Sequence, residues 1–152
     1  MIRGLFETHI NVSDLDRSIA FYRDVLGLEL ARREEARRVA FLWLGGRGEA
    51  MLGLWEKPRE QVTRQHFAFR ASAEDVVHRS VAWLKERGLP CHNFLKDGTE
   101  RPMVFGWMPA VAIYFPDPDG HSLELIAMLP DKPRPELGVV SWEEWRASGP
   151  VS

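Results

Sequence analysis

The stretch Thr8-His9-Ile10-Asn11-Val12-Ser13-Asp14-Leu15-Asp16-Arg17-Ser18-Ile19-Ala20-Phe21-Tyr22 passes from an alternating pattern into helical spacing. Phe6–Val12 reads as a strand, and Ser13 or Asp14 is placed to cap the helix that follows. Leu15, Ile19, Tyr22, Val25 and Leu26 mark the apolar stripe of that helix, and Gly27 ends it. Short strands are expected next at Leu28–Arg33, Val39–Leu44 and Ala50–Trp55, with Gly45-Gly46-Arg47-Gly48 as the last turn.

After a linker, Lys57–Thr63 with its Pro58, the same order begins again. Gln65–Arg70 reads as a strand, Ser72 caps a helix carrying Val76, Val77, Val81 and Leu84, and Gly88 ends it. Strands are expected near Cys91–Lys96, Met103–Trp107, Val111–Phe115 and Ser122–Met128, with Asp117-Pro118-Asp119-Gly120 as a strong turn before the last. The repeat predicts an α+β fold in which two βαβββ modules form a curved mixed-sheet cup. Module 1 covers 1–58 and module 2 covers 64–129, together one domain over 1–129, and 130–152 form a C-terminal extension. In that extension Ser141-Trp142-Glu143-Glu144-Trp145 has a capping-box pattern, with both tryptophans on one helical face for packing against the protein's own sheet or a dimer mate rather than for a lid.

The chain's 152 residues are enough for a self-sufficient core. Twenty basic against 22 acidic residues, with no basic block, argue against nucleic acid or an anionic membrane as partner. One cysteine, Cys91, cannot form an internal disulfide, and the N-terminal segment meets a charge too early for a signal peptide. The cytoplasm is the expected compartment.

Alternation along the strands sorts the polar groups. His9 shares a face with Glu7 and Asn11 while Ile10 and Val12 face the helix. His66 lies with Ala68 and Arg70, opposite Phe67 and Phe69, and Glu124 lies with Ser122 and Ile126, opposite Leu123 and Leu125. If the polar faces meet, His9, His66 and Glu124 converge on one cavity. Two imidazoles and a carboxylate suit one divalent ion such as Mn²⁺, Fe²⁺, Ni²⁺ or Zn²⁺, with positions open for substrate. His78 reads as part of a solvated helix face, and His92 and His121 as residues beside turns.

The segment quoted above, continued by Val25-Leu26-Gly27-Leu28, resembles the vicinal oxygen chelate superfamily, as does Phe115-Pro116-Asp117-Pro118-Asp119-Gly120-His121-Ser122-Leu123-Glu124-Leu125. That superfamily holds glyoxalase I, extradiol dioxygenases, fosfomycin-resistance thiol transferases and bleomycin-binding proteins. The resemblance covers residues 5–129 and implies metal ligands at His9, Gly53, His66 and Glu124. A glycine at position 53 removes the carboxylate of the glyoxalase I pattern, which puts that isomerase activity in doubt and leaves room on the substrate side of the cavity. The resemblance also implies a metal-facing role for Tyr114, substrate contacts for Asn11, Gly53 and Arg70, and a homodimer. The apolar rows Val39, Phe41 and Trp43, with Val111 and Ile113, are the candidates for pairing modules, and packing in their own core explains them too. The activity expected is a metal-dependent thiol transfer or lyase step on a small oxygenated substrate. The alternatives are an Fe²⁺ extradiol dioxygenase and a metal-free protein that binds an antibiotic-like small molecule.

Overall fold

In a computed structural model of the chain, the described residues are 1–149. They fall into two compact units, one made of Met1–Gln65 with Asp117–His121, the other of His66–Pro116 with the described residues from Ser122 onward.

The first unit holds β1 (Glu7–Val12), α1 (Leu15–Ala20), β2 (Glu29–Glu34), β3 (Val39–Leu44) and β4 (Ala50–Glu56). Its sheet has the order β1-β4-β3-β2, with β1 parallel to β4 and the other pairs antiparallel. Asp14 caps α1 by accepting the Arg17 N–H at 2.9 Å, and the Leu15 N–H donates to the Glu56 carboxylate at 2.7 Å. The helix therefore starts anchored to the end of β4. It widens into a π-helical turn over Phe21–Val25, where consecutive Phe21 and Tyr22 are both buried. Gly27 takes φ of +82° and reverses the chain toward β2. Ile10, Val12, Leu15, Ile19, Leu42, Leu52 and Leu54 fill the space between sheet and helix.

Asp117–His121 completes this unit. Asp119 accepts from the Ser13 N–H at 3.0 Å, from the Ser13 hydroxyl, from Arg17 at 2.8 Å and from Arg59 at 2.7 Å. Tyr22 donates its buried hydroxyl to Asp117 at 2.9 Å. The turn motif is thus a packing element as well as a breaker.

The second unit holds β5 (His66–Arg70), α2 (Ser80–Glu86), β6 (Met103–Phe105), β7 (Ala110–Pro116), β8 (Ser122–Met128), β9 (Val139–Ser141) and α3 (Trp142–Ala147). Its sheet order is β5-β8-β7-β6-β9, again with the outer strand β5 parallel to β8. A π-helical turn, Asp75–Arg79, leads into α2 after Ser72 accepts the Asp75 N–H at 3.0 Å. The repeated module is therefore present twice, as β1-α1-β2-β3-β4 and β5-α2-β6-β7-β8, and the class is α+β with two mixed sheets.

Three details depart from the sequence reading. Cys91–Lys96 makes only a single bridge, His92 to Tyr114, instead of a strand. The Asn93 side chain turns the chain there by donating to Asp97 at 2.7 Å and to the Thr99 carbonyl at 3.1 Å. Of the two readings for Val111 and Ile113 the structure has own-core packing, both being fully buried and Val111 lying in a cluster with Val76, Val104 and Trp145. The C-terminal segment adds a ninth strand, β9, beside β6. The capping box at Ser141 and Glu144 is formed, and Trp145 is buried with Trp142 packed against its cluster. No helix among the described residues is long and apolar enough to cross a membrane.

Candidate metal centre

Parallel pairing in the second unit sets His66 beside Ser122, Ala68 beside Glu124 and Arg70 beside Ile126. On the next strand Tyr114 lies opposite Glu124. His66 Nε2 lies 3.1 Å from the Glu124 carboxylate, with His66 half-exposed and Glu124 only 4% exposed. Tyr114 hydrogen-bonds the same carboxylate. The structure therefore brings three candidate residues of this unit together. Arg70, four residues from His66 on the same face, is exposed and has no ion-pair partner among the described residues.

The protons on this cluster can be assigned. A carbonyl oxygen only accepts, so the contact between His66 Nδ1 and the Ser122 carbonyl at 2.9 Å places the proton on Nδ1. Nε2 of the neutral ring then carries a lone pair, and it faces an acceptor carboxylate. Two acceptors at 3.1 Å repel unless a cation or a shared proton joins them. A divalent ion fits: donors about 2.1 Å from a metal and roughly at right angles stand about 3 Å apart. The Nδ1–H bond to a carbonyl is also the usual outer support of a metal-bound histidine. Burial raises the Glu124 carboxyl above its ordinary range, with the Tyr114 hydroxyl and His66 offsetting this only in part. Burial, followed by the adjacent carboxylate, raises the Tyr114 phenol in turn. Tyr114 therefore stays a hydrogen-bond donor at neutral pH. Its ring stacks on His92 with centroids 5.5 Å apart.

In the first unit His9 lies beside Gly53, Glu7 beside Met51 and Asn11 beside Trp55. The imidazole lies directly over the glycine: a Cβ at position 53 would fall 2.6 Å from His9 Cδ2. The room expected above Gly53 is thus already filled by His9. Trp55 donates its indole N–H to His9 Nδ1 at 3.0 Å, and His9 Nε2 lies 3.5 Å from Glu7. Gly53→Ala is expected to swing the His9 ring off Trp55, at a cost of about 1 kcal/mol. An unshifted Trp55 indole N–H resonance in the variant would contradict this. Asn11 holds its place through its backbone, with its N–H on the Gln65 side chain at 3.3 Å and its carbonyl accepting from His121 at 2.7 Å. His121 is fully buried and also accepts the Gln65 N–H at 3.0 Å, so it is structural. His78 pairs with Glu74 on the helix surface. Neither unit gathers three metal-capable side chains among its described residues.

These positions also test how the repeat is registered. Aligning Leu52-Gly53-Leu54 with Leu123-Glu124-Leu125 places Phe41 in the role of Tyr114, aromatic against aromatic. It places Glu7, not His9, in the role of His66, because His66 pairs two residues before Glu124 and Glu7 two residues before Gly53. Strand pairing does not allow His9 to match His66 while Gly53 matches Glu124.

Residues 4–125 match the model of the Glyoxalase/Bleomycin resistance protein/Dioxygenase superfamily. A curated relative, the metallothiol transferase FosB of Staphylococcus epidermidis, is 35% identical over 127 residues, covering 82% of this chain and 84% of that protein. Among solved structures, the integron cassette protein HFX_CASS4 from the mobile metagenome of the Halifax Harbour sewage outfall is 36% identical, with a TM-score of 0.71. The match covers 84% of this chain and all of that one (100%). The fosfomycin resistance protein FosX of Listeria monocytogenes, solved with Mn(II) and sulfate, is 27% identical with a TM-score of 0.62, covering 86% and 94% of the two chains.

Proposed function

The chain belongs to the Glyoxalase/Bleomycin resistance protein/Dioxygenase superfamily, and from that premise we propose that it is a divalent-metal-dependent transferase or lyase acting on a small, anionic, oxygenated substrate. The observation that carries the reading is the His66–Glu124 pair, two facing acceptors that a divalent cation would join in place of a shared proton. Their donor chemistry suits Mn²⁺, Fe²⁺, Ni²⁺ or Zn²⁺, and β1 supplies a further protein donor. When bound, such an ion would supply Lewis-acid chemistry toward a substrate oxygen. Tyr114 donates its hydroxyl toward negative charge developing on that oxygen, and Arg70 attracts the anionic group. The metallothiol transferase name of FosB favours thiol transfer within this class, and the fosfomycin resistance name of FosX makes fosfomycin the substrate to try first.

Elemental analysis of protein purified without added metal, followed by phosphorus NMR of fosfomycin with a thiol and Mn²⁺, tests the reading. Stoichiometric metal and an adduct signal are expected. Absence of metal would point to a binding protein, and oxygen uptake with catechols to a dioxygenase.

We further propose that the working form is a homodimer in which the metal site is shared between chains. One variant, Glu7→Ala combined with His9→Ala, removes both candidate donors of β1, and Glu124→Ala removes that of β8. Mixing the two inactive proteins is expected to restore about a quarter of wild-type metal sites if donors are shared and dimers form at random. A monomer in sedimentation at micromolar concentration, or no recovery on mixing, would exclude the shared site.

A further inference from the structure

An alkyl thiol, with a pKa of about 8.5, is mostly protonated at neutral pH and reacts as the thiolate, so thiol transfer needs a proton acceptor. Among the described residues, the face of the second unit that carries the candidate centre offers few. His66 Nε2 and the Glu124 carboxylate are turned on each other at 3.1 Å. Tyr114 stays protonated and donates to that carboxylate. Arg70 has no acceptor. Asp97, in the loop before β6, accepts from the Asn93 side chain and from the Thr99 hydroxyl and N–H, and these bonds hold its pKa down to about 2.

His92 remains. It exchanges two backbone hydrogen bonds with Tyr114, each of 2.9 Å, and the two rings stack with their planes 6° apart. Tyr114 therefore has an imidazole on either side, His66 with centroids 5.8 Å away and His92 at 5.5 Å. His92 Nδ1 lies 2.9 Å from the Asn93 carbonyl, which only accepts, so the proton of the neutral ring sits on Nδ1. Nε2 then carries the lone pair. The ring is half-buried, and that nitrogen has no partner among the described residues. An imidazole lone pair is the commonest proton acceptor in catalysis. Phe94, half-exposed, meets the same Tyr114 ring with centroids 6.4 Å apart, and an aromatic surface of this kind suits a polarisable sulfur.

Resting on the thiol-transfer reading above, we propose that His92 is the catalytic base for the thiol, its Nε2 taking the proton beside Tyr114. The S–H bond gives its proton to Nε2, the sulfur forms a bond to the substrate carbon, and the carbon–oxygen bond breaks. The electron pair of that bond stays on the oxygen that Tyr114 faces. The proton held by His92 returns to this oxygen through water. Thiol and substrate thus yield a thioether and a hydroxyl group, with no oxidant or reductant needed.

The test is transfer from L-cysteine to fosfomycin by the Mn²⁺-loaded full chain. His92→Phe, which keeps a ring against Tyr114, and His92→Gln are expected to lower kcat about 100-fold or more at neutral pH, with Mn²⁺ affinity and the KM for fosfomycin within about twofold of wild type. Above about pH 9.5, where the thiol ionises unaided, the deficit is expected to shrink to about threefold. A structural role for His92 would leave the deficit independent of pH. Nitrogen NMR of the metal-free protein gives a readout apart from turnover, with the proton of His92 on Nδ1 and Nε2 bare. An Nε2–H tautomer, full activity in both variants, or a deficit in both that persists above about pH 9.5 overturns the assignment and leaves thiol transfer standing. If wild type forms no adduct with cysteine or another alkyl thiol, the thiol-transfer reading falls and the assignment with it.

Discussion

Glutamine at position 124 is expected to leave the fold intact and to abolish stoichiometric binding of Mn²⁺, Fe²⁺, Ni²⁺ or Zn²⁺. The substitution keeps the volume of the side chain and an oxygen for the Tyr114 hydroxyl, so the local hydrogen bond survives. What is lost is the negative charge that, facing the lone pair of His66, calls for a cation. Apoprotein carrying Glu124→Gln is expected to melt no lower than wild type, because a buried carboxylate without its ion is a cost to folding. His66→Ala is expected to abolish binding as well, with a stability change within about 1 kcal/mol, since that side chain is half-exposed. Calorimetric titration of both variants and wild type decides the matter. Equal affinities in all three would remove the site.

Asp119→Ala is expected to be the most destabilising change outside the centre, by about 3 kcal/mol. The buried carboxylate ties the start of α1 to the turn before β8, receiving Ser13, Arg17 and Arg59 together. Burial alone raises its pKa. The Ser13 hydroxyl and N–H, with Arg17 and Arg59, outweigh that and hold it below the ordinary 3.8. A carboxylate whose pKa is depressed by folding stabilises the folded state above its unfolded pKa and loses that contribution as pH falls through the folded value. Urea unfolding should therefore show a wide gap between wild type and Asp119→Ala at neutral pH, shrinking once the pH drops below about 4. A gap that persists undiminished at about pH 3 would show that charge is not its cause.

Much of this architecture was legible from periodicity. Alternation and helical spacing placed β1, α1, β3, β4, β5 and β8, because each carries a strong one-sided apolar pattern. The segment at Cys91–Lys96 looked like a strand because its residues alternate, but the Asn93, Asp97 and Thr99 side chains outcompete the ladder. β9 is three residues long and pairs with a strand more than thirty residues earlier, so nothing local announces it. At the site, alternation put His9, Glu7, His66 and Glu124 on the polar faces of their strands. Which residue stands beside which depends on strand pairing, and a one-strand pattern holds no such information. The tautomers lay further out of reach, being fixed by Trp55 and by the Ser122 carbonyl across the sheet.

The first unit is not a continuous piece of chain: Met1–Gln65 is completed by Asp117–His121. During synthesis, the buried Tyr22 hydroxyl and the cationic side chains of Arg17 and Arg59 wait for acceptors that lie 95 to 102 residues after Tyr22 and Arg17. At about 5–20 residues per second, that interval amounts to roughly 5–20 s on the ribosome. A nascent chain stalled before Asp117 is therefore left with the helix start unlatched. Emergence of one turn then closes a unit whose other strands were translated long before.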